Sequence, residues 1–260
     1  MKRKIAVPLT ISIITFTLLF TSTMGAFTDS IGHENRPMIK IKEGTSSNWS
    51  GYDAQSSITT PSKGFVKSVS GNWIVPKVTC GISTTYSSVW VGLDGVSDAT
   101  VEQLGTEQDC SRGGPHYYAW YEMYPHSGFL ISGMTIHSGD SMTASVKFQG
   151  NGQYLLSLSD LTTSKSFSHI FLANAQRSSA EWIVEAPSST SGILPLTNFG
   201  SVSFSNAQFM DNTGIMHTID GRGTGTYDSI TLNDPLGGNG IPSSLTDSGT
   251  TSSFTVTYSP

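Results

Sequence analysis

Residues 141–160, SMTASVKFQGNGQYLLSLSD, predict two strands joined by a turn. The turn sequence QGNGQ (149–153) favours a hairpin, which pairs its two strands antiparallel. Strand-like runs of the same kind, separated by turn residues, recur from Asn48 to the end of the chain. They are GFVKSVSGNWIVP, SSVWVGLDG, HYYAWYEMYP, MTIHSGD, KSFSHIFLA, AEWIVEAP, VSFSNAQFM and SSFTVTYSP. We therefore expect an all-β fold, an antiparallel β-sandwich.

The composition agrees with one β domain. The 260 residues include 27 glycines, and 13% of the side chains are charged. Such a profile is typical of short strands and turns rather than long helices. The sequence contains no helical stretch, no repeat of fixed period and no linker-like shift after residue 48, so residues 48–260 are expected to form a single domain.

The N-terminus, residues 1–26, predicts a signal peptide. Met1-Lys2-Arg3-Lys4 precedes an apolar run, and small residues follow up to Ala26. A membrane anchor is the alternative, but the run is short and interrupted by proline and threonines. Cleavage would remove three cations and no acid, which changes the formal net charge from −5 to −8. We expect a secreted monomer with neither nucleic acid nor membrane as partner after cleavage.

The two cysteines, Cys80 and Cys110, predict one disulfide, because an even number of cysteines in an exported chain favours pairing. Metal binding is the weaker interpretation. The sequence has neither Cys-x-x-Cys nor His-x-x-x-His, so we expect no metal site and no cofactor.

Alternation along the predicted strands places polar and aromatic side chains together on one face. In SSVWVGLDG, for example, Val89 and Val91 share one face and Trp90 lies on the other. The polar and aromatic residues sorted in this way are Trp90, Asp94, Gln103, Tyr118, Trp120, Glu122, Tyr124, Glu181 and Glu185. Such a face is typical of a sugar or peptide groove, although the outer face of a one-sided sheet also carries solvated acids.

Several hydrolase chemistries lack their motifs. Gly-x-Ser-x-Gly and His-Glu-x-x-His are missing. DSGT (247–250) matches the loop of pepsin-like proteases, but that chemistry needs two copies, and a turn before the last strand is the better interpretation. Carboxylate chemistry remains: a Glu with a Gln can hydrolyse an amide, and two acids can cleave a glycoside. The spacing of these residues in the sequence does not decide between amide hydrolysis and glycoside cleavage.

Nine strings resemble, in order, those of the glutamic peptidases, the eqolisin family. They are SNWSGY (47–52), WIVP (73–76), SVWVGLDG (88–95), QLG (103–105), YAWYEMYP (118–125), MTIHSGDSM (134–142), AEWIVE (180–185), FGSVSFSNA (199–207) and FTVTY (254–258). The resemblance implies a curved, lectin-like sandwich and an endopeptidase that acts on proteins or peptides at acidic pH. A carbohydrate-binding or glycan-hydrolysing protein on the same sandwich is the alternative.

The resemblance also implies roles for particular residues. The family's catalytic glutamine corresponds to Gln103, and its glutamate corresponds to Glu185 rather than Glu181. Glu181 is then expected to be a supporting or solvated acid. The residues that line or brace the groove correspond to Trp49, Trp90, Asp94, Trp120 and Glu122.

Three features depart from the family's pattern. Glu107 occupies a position that is Asp in better-known members, and Tyr118 replaces another Asp. Glu102 stands where an apolar residue is usual, and alternation turns it inward. Residues 27–47, FTDSIGHENRPMIKIKEGTSS, are polar and patternless, which suits a short leader or pro-segment. Because this segment is short, we expect weak or absent inhibition by it.

Overall fold

The computed structural model describes residues 29–260. The predicted signal peptide, residues 1–26, lies outside the described residues. Within 29–260 the chain forms strands and one 3-10 turn (Gly221–Gly223). The strands are β1 (Lys40–Lys42), β2 (Thr45–Ser46), β3 (Trp49–Gln55), β4 (Val66–Ile74), β5 (Ser88–Leu93), β6 (Val101–Ser111), β7 (Gly114–Tyr124), β8 (Phe129–Thr135), β9 (Ser141–Gly150), β10 (Gln153–Asp160), β11 (Lys165–Leu172), β12 (Ser179–Glu185), β13 (Ser188–Ser189), β14 (Gly192–Ile193), β15 (Ser201–Asp211), β16 (Met216–His217), β17 (Thr226–Asn233), β18 (Asn239–Pro242), β19 (Thr246–Ser248) and β20 (Thr251–Ser259). The all-β prediction is confirmed.

The long strands form two antiparallel layers. Sheet 1 has the order β17-β3-β12-β5-β6-β7-β8. Sheet 2 has the order β11-β10-β9-β4-β15-β20-β18. Strand β17 pairs with β3 in sheet 1 and with β18 in sheet 2, so the two layers join along one edge. The predicted antiparallel sandwich is therefore confirmed, as one curved and nearly closed sheet.

The hairpin predicted at 149–153 joins β9 to β10. Asn151 has φ 52° and Gly152 has φ 71°. Positive φ at both central residues is what the Asn-Gly sequence favours in a two-residue hairpin. The predicted strand at MTIHSGD (134–140) is wrong beyond Thr135, because the Asp140 carboxylate accepts the His137 N–H at 2.7 Å and closes a turn there.

The main core lies between the two sheets. Sheet 1 contributes Val89, Val91 and Trp182 to it, and sheet 2 contributes residues such as Val146 and Phe204. The disulfide predicted between the two cysteines of the chain is confirmed, with an S–S distance of 2.02 Å. Within the described residues no helix is long and apolar enough to cross a membrane.

A second apolar cluster covers the opposite face of sheet 1, called the outer face below. It contains Trp49, Trp90, Val101, Trp120, Ile183 and Ile230. The alternation predicted for β5 and β12 is confirmed, since Val89 and Trp182 face the core whereas Trp90 and Ile183 face outward. Two residues from before the domain, Ile31 and Met38, pack on this cluster. The segment preceding Asn48 therefore lies across the outer face.

Candidate active site

The outer face brings Gln103 and Glu185 together around Trp90. Gln103 on β6 lies opposite Gly92 of β5, and Glu185 on β12 lies opposite Ser88 of the same strand. Both side chains therefore flank Trp90, which points to the same face because strand residues alternate. Non-neighbouring parts of the chain meet here only because β6 and β12 pair with opposite edges of β5.

A glycine allows the tryptophan to fit. Gly105, two residues after Gln103, lies opposite Trp90. A Cβ on Gly105 would lie 2.1 Å from the carbonyl oxygen of Val89 and 2.7 Å from the Trp90 Cβ, which is too close for any side chain. The Gln-x-Gly sequence thus places the amide beside Trp90 and leaves room for the ring.

The Glu185 carboxylate accepts three hydrogen bonds. Trp90 Nε1 donates to Oε2 at 3.0 Å, and Asn48 Nδ2 donates to Oε1 at 3.2 Å. The backbone N–H of Arg36 also donates to Oε1, at 3.0 Å. Burial raises the pKa of Glu185 well above its usual value, and the neighbouring Glu122 adds to the rise, whereas the three donors act in the opposite direction.

The Gln103 amide points at a carboxyl and at a backbone carbonyl. Its Nε2 donates to Glu122 Oε2 at 3.0 Å and to the carbonyl oxygen of Asn35 at 2.5 Å. The backbone N–H of Asn35 donates to the same Glu122 oxygen at 2.9 Å. Burial raises the pKa of Glu122 well above its usual value. Glu122 thus orients the amide group of Gln103.

The segment before the domain closes the site. Gln103 and Glu185 are both 0% exposed, yet they point away from the core between the sheets. The residues that cover them are Asn35 and Arg36, through the backbone contacts above. His33 adds a contact of 2.9 Å with Glu107, so the short segment 33–36 is tied to the site at several points.

Comparison with known proteins identifies the family. The model of the peptidase A4 family matches residues 47–258. The chain belongs to the peptidase A4 family. It is 31% identical to aspergillopepsin-2 of Aspergillus niger over 63% of this chain and 64% of that protein. It is 35% identical to scytalidopepsin B of Scytalidium lignicola over 56% of this chain and 55% of that protein. The match thus spans less than two thirds of the length of either relative.

Solved structures agree with this assignment to the peptidase A4 family. A crystal structure of scytalido-glutamic peptidase with a transition state analog inhibitor has a TM-score of 0.65 and 26% identity, and the match covers 82% of this chain and 98% of that chain. Aspergilloglutamic peptidase from Aspergillus niger has a TM-score of 0.56 and 29% identity, with 67% of this chain and 99% of that chain covered.

The tryptophans predicted for the groove of this peptidase A4 chain lie around Glu185. Trp49 and Trp90 pack edge to face, with ring centroids 4.9 Å apart. Trp49 Nε1 donates to the carbonyl oxygen of Arg36 at 2.9 Å. Trp120 lies opposite Gly105 in the same cluster. The aromatic side chains therefore line the position that the Arg36 backbone occupies.

Asp94 lies in the loop after β5 and braces that loop. It accepts the backbone N–H groups of Arg177 and Ser178 at 2.6 and 2.7 Å. Burial and the nearby Asp98 raise its pKa to about 6. The next residue, Gly95, accepts the N–H of Met38 at 3.0 Å. Asp94 is thus placed to shape the wall of the site, whereas a direct contact with substrate remains a prediction.

Glu181 is not a solvated acid, so that part of its prediction is wrong. It lies two residues before Ile183 on the same face but is 0% exposed. Burial raises its pKa well above the usual value, and the charges of Asp94 and Asp53 add to the rise. Glu102, predicted to turn inward, is buried as well, and burial raises its pKa.

Two residues near the site were not assigned a function from the sequence. Asn48 donates to Glu185, and its own Oδ1 accepts the N–H of Ile39 at 2.7 Å. Glu107 was treated only as a departure, but its Oε1 accepts Asn35 Nδ2 at 3.2 Å. The position of Asn48 inside the string SNWSGY could have indicated that Asn48 belongs to the site. Among the residues described, no group of three or more His, Cys, Asp or Glu could hold a metal ion.

Proposed function

We propose that the chain is a secreted glutamic endopeptidase that acts at acidic pH through Gln103 and Glu185. The observation that carries this proposal concerns a single peptide unit. Gln103 donates to the carbonyl oxygen of Asn35, and Glu185 accepts the N–H of Arg36, which belongs to the same amide. An amide held from both ends in this way is oriented for hydrolysis.

The chemistry needs one base and one oxyanion donor. Glu185 takes a proton from water, and the resulting hydroxide attacks the carbonyl carbon. The oxygen becomes an oxyanion, which the Gln103 amide stabilises by hydrogen bonding. Glu185 then passes the proton to the nitrogen, so that the C–N bond breaks and leaves an acid and an amine. Its place on the nitrogen side of the amide suits this last step.

Acidic pH suits this arrangement for an electrostatic reason. The site holds the carboxyl of Glu122 close to Glu185, and ionising both together is costly in a buried environment. At acidic pH Glu122 stays neutral, since burial raises its pKa. Trp90 and Asn48 donate to Glu185 and so oppose the rise in its pKa that burial causes. One carboxylate can then act as the base.

The peptide assignment is favoured over the glycan alternative by two observations. The family match covers most of the chain. The outer face also holds an extended segment of polypeptide, which contacts the site mainly through backbone atoms. We infer that proteins and peptides are the substrates, that the enzyme is exported by the segment 1–26, and that it works as a monomer without a cofactor.

The test uses denatured casein at about pH 3 to 4, near the pKa of about 4.3 that a glutamate has when it is open to solvent. Glu185→Gln is expected to lower kcat by at least about 10³-fold, and Gln103→Ala by about 10² to 10³-fold. Glu181→Gln is the matched control, because it makes the same change on the same strand and face, and its activity is expected to stay within about threefold of wild type. Casein cleavage that persists in both site variants would refute the assignment.

A further inference from the structure

The loop of residues 94–100 joins β5 to β6 and packs against the outer face of sheet 1. A Cβ on Gly95 would lie 3.0 Å from Cη2 of Trp49, so the loop backbone lies directly on that tryptophan. Val96 packs on the same apolar cluster. The Gly95 carbonyl oxygen faces the groove, where it accepts the N–H of Met38. The position of this loop therefore sets the shape of one wall of the site.

Two carboxyls hold the loop in shape. Asp98 Oδ1 accepts the backbone N–H groups of Gly95 and Thr100, both at 3.2 Å. Asp94 Oδ1 accepts the backbone N–H of Ser178 at 2.7 Å. The Ser178 hydroxyl lies 3.0 Å from Asp94 Oδ1 and 2.9 Å from Asp98 Oδ2. A hydroxyl carries one proton, so it donates to only one of these carboxyls at a time. Asp94 therefore has room for one more donor.

Glu102 supplies a further contact at the base of the loop. It lies opposite Leu93 in the register of β5 and β6, next to the residue at which the loop begins. Its side chain is 1% exposed, and its carboxyl forms a hydrogen bond with the carboxyl of Asp94. Two carboxyls form such a bond only when one of them is protonated. The bond ties the start of β6 to the first residue of the loop and so closes the base of the loop.

The proton of this bond belongs to Glu102. Asp94 accepts two backbone N–H groups and a hydroxyl, whereas Glu102 Oε2 is buried and has no hydrogen-bond partner. Because donors stabilise the ionised form of a carboxyl, Asp94 is the better anion of the two. Burial raises the pKa of Glu102 well above its usual value, and the neighbouring Asp94 and Asp98 add to the rise. Glu102 therefore keeps its proton and donates it to Asp94.

The surrounding groups do not replace this donor. The ionisable groups around Glu102 and Asp94 are those of Asp98, Tyr154, Arg177 and Glu181. Burial raises the pKa of Tyr154, so its phenol stays neutral. The Arg177 guanidinium lies 4.0 Å over the ring of Phe148, and within residues 29–260 no ion pair includes these carboxyls. The residues opposite Glu102 on β5 and β7 are apolar.

We propose that Glu102 is a positioning residue of the peptidase, which holds the 94–100 loop through Asp94 and so keeps this wall of the groove in place for substrate binding. This inference rests on the proposed function. Glu102 lies on the core side of β6 with Leu104, away from Gln103, so it acts on substrate only through the loop. Ionisation of Glu102 removes the donated proton and places a second negative charge beside Asp94. We therefore expect substrate binding to weaken as pH rises.

The test measures kcat and KM for denatured casein at about pH 4 in two variants of Glu102. Glu102→Gln keeps a donor for Asp94, whereas Glu102→Leu has a similar size and no donor. In Glu102→Leu, KM is expected to rise by about three- to tenfold, which corresponds to the loss of one hydrogen bond, while kcat stays within about twofold of wild type. Glu102→Gln is expected to keep both constants within about twofold of wild type.

Urea unfolding of the same variants separates positioning from a purely structural role. Glu102→Leu replaces a buried polar side chain by an apolar one of similar volume, so the free energy of unfolding is expected to stay the same or to increase. A higher KM in a chain that is at least as stable as wild type supports the positioning role. A lower free energy of unfolding with an unchanged KM would assign Glu102 to the fold alone and overturn the inference.

The pH dependence of KM is a second measurement. The ratio of the wild-type KM to the KM of Glu102→Gln is expected to grow by at least about threefold between about pH 4 and about pH 8, because the glutamine amide cannot ionise. A constant ratio would contradict the role of the Glu102 proton. If wild type cleaves casein, Glu185→Gln does not, and Glu102→Leu keeps the wild-type KM, the peptidase assignment stands and the positioning role falls. If wild type does not cleave casein, both fall.

Discussion

Because Asp53 is buried and its pKa is raised, we expect the fold to be most stable at acidic pH. Its side chain is 0% exposed on β3. Gln55 Nε2 donates to Oδ1 at 3.1 Å, and Asp228 lies directly opposite on β17. Burial, with the charge of Asp228 added, raises the pKa of Asp53 from 3.8 to about 8. The folded protein therefore binds a proton here that the unfolded chain releases at a much lower pH.

The sign of the effect follows from proton binding. The neutral carboxyl is favoured in the folded state, so its stabilisation is complete below the unfolded pKa of 3.8 and is lost as pH rises toward about 8. The whole shift corresponds to roughly 6 kcal/mol, of which about 4 kcal/mol is lost by pH 7. In a domain of this size that loss lowers Tm by on the order of 10 °C.

The perturbation is Asp53→Asn, which keeps the size of the side chain and cannot ionise. Thermal unfolding is followed by circular dichroism at about pH 3.5 and about pH 7. The variant is expected to unfold on the order of 10 °C above its parent at pH 7 and within about 2 °C of it at pH 3.5. Glu43→Gln is the control, since its carboxylate is 58% exposed. An equal change in Tm at both pH values would refute the reasoning.

Three further predictions concern the disulfide, the Gln-x-Gly sequence and a donor to the Glu185 carboxylate. Replacing Cys80 and Cys110 by Ser opens a loop of 30 residues and is expected to cost about 3 to 4 kcal/mol, measured by urea unfolding. Gly105→Ala forces a Cβ to within 2.1 Å of a carbonyl oxygen of β5, so a loss of at least about 3 kcal/mol is expected in the same measurement. Asn48→Ala removes a hydrogen bond that lowers the pKa of Glu185, so the acid limb of the pH profile of kcat is expected to move to higher pH. An unchanged acid limb would contradict that role for Asn48.

The sequence predicted the faces of the strands well, because alternation is a local property. Trp90 and Glu185 were placed on polar faces by counting residues, and the structure puts both on the outer face of sheet 1. Counting could not show that β6 and β12 lie on either side of β5, since pairing between distant strands depends on the whole fold. Alternation picked out Gln103 as the one amide on the same kind of face, and the family resemblance then implied a catalytic role for it.

Strand β17, TYDSITLN, was missed for a physical reason. Ile230 packs on the outer cluster, yet Leu232, two residues later, packs in the core between the sheets. The strand leaves β3 after Ile230 and pairs with β18 at Leu232, so it passes from one layer to the other. Alternation would place these two residues on one face, but they face two different clusters, and counting along the strand could not show this.

Residues 29–47 show no periodic pattern in the sequence, because the contacts that hold this segment do not require one. Its backbone supplies most of the bonds that hold it, including those to Glu122 and Glu185, and backbone groups are the same for every sequence. Periodicity detects elements that bury one regular face, whereas this segment is fixed by a groove built from other strands. Its position could be read only from coordinates.

The stability of the fold and the proposed chemistry depend on pH through one common cause. A groove that binds peptide backbone needs polar side chains on its floor, and in this chain many of them are carboxyls, such as Asp53, Glu122 and Glu185. Covering the groove removes water, and a carboxyl can be buried without a counter-ion only when it is protonated. Lysine or arginine in the same places would be charged under acidic conditions. Acidic conditions therefore favour burial of these carboxyls, and the three N–H groups that contact Glu185 oppose the rise in its pKa that burial causes.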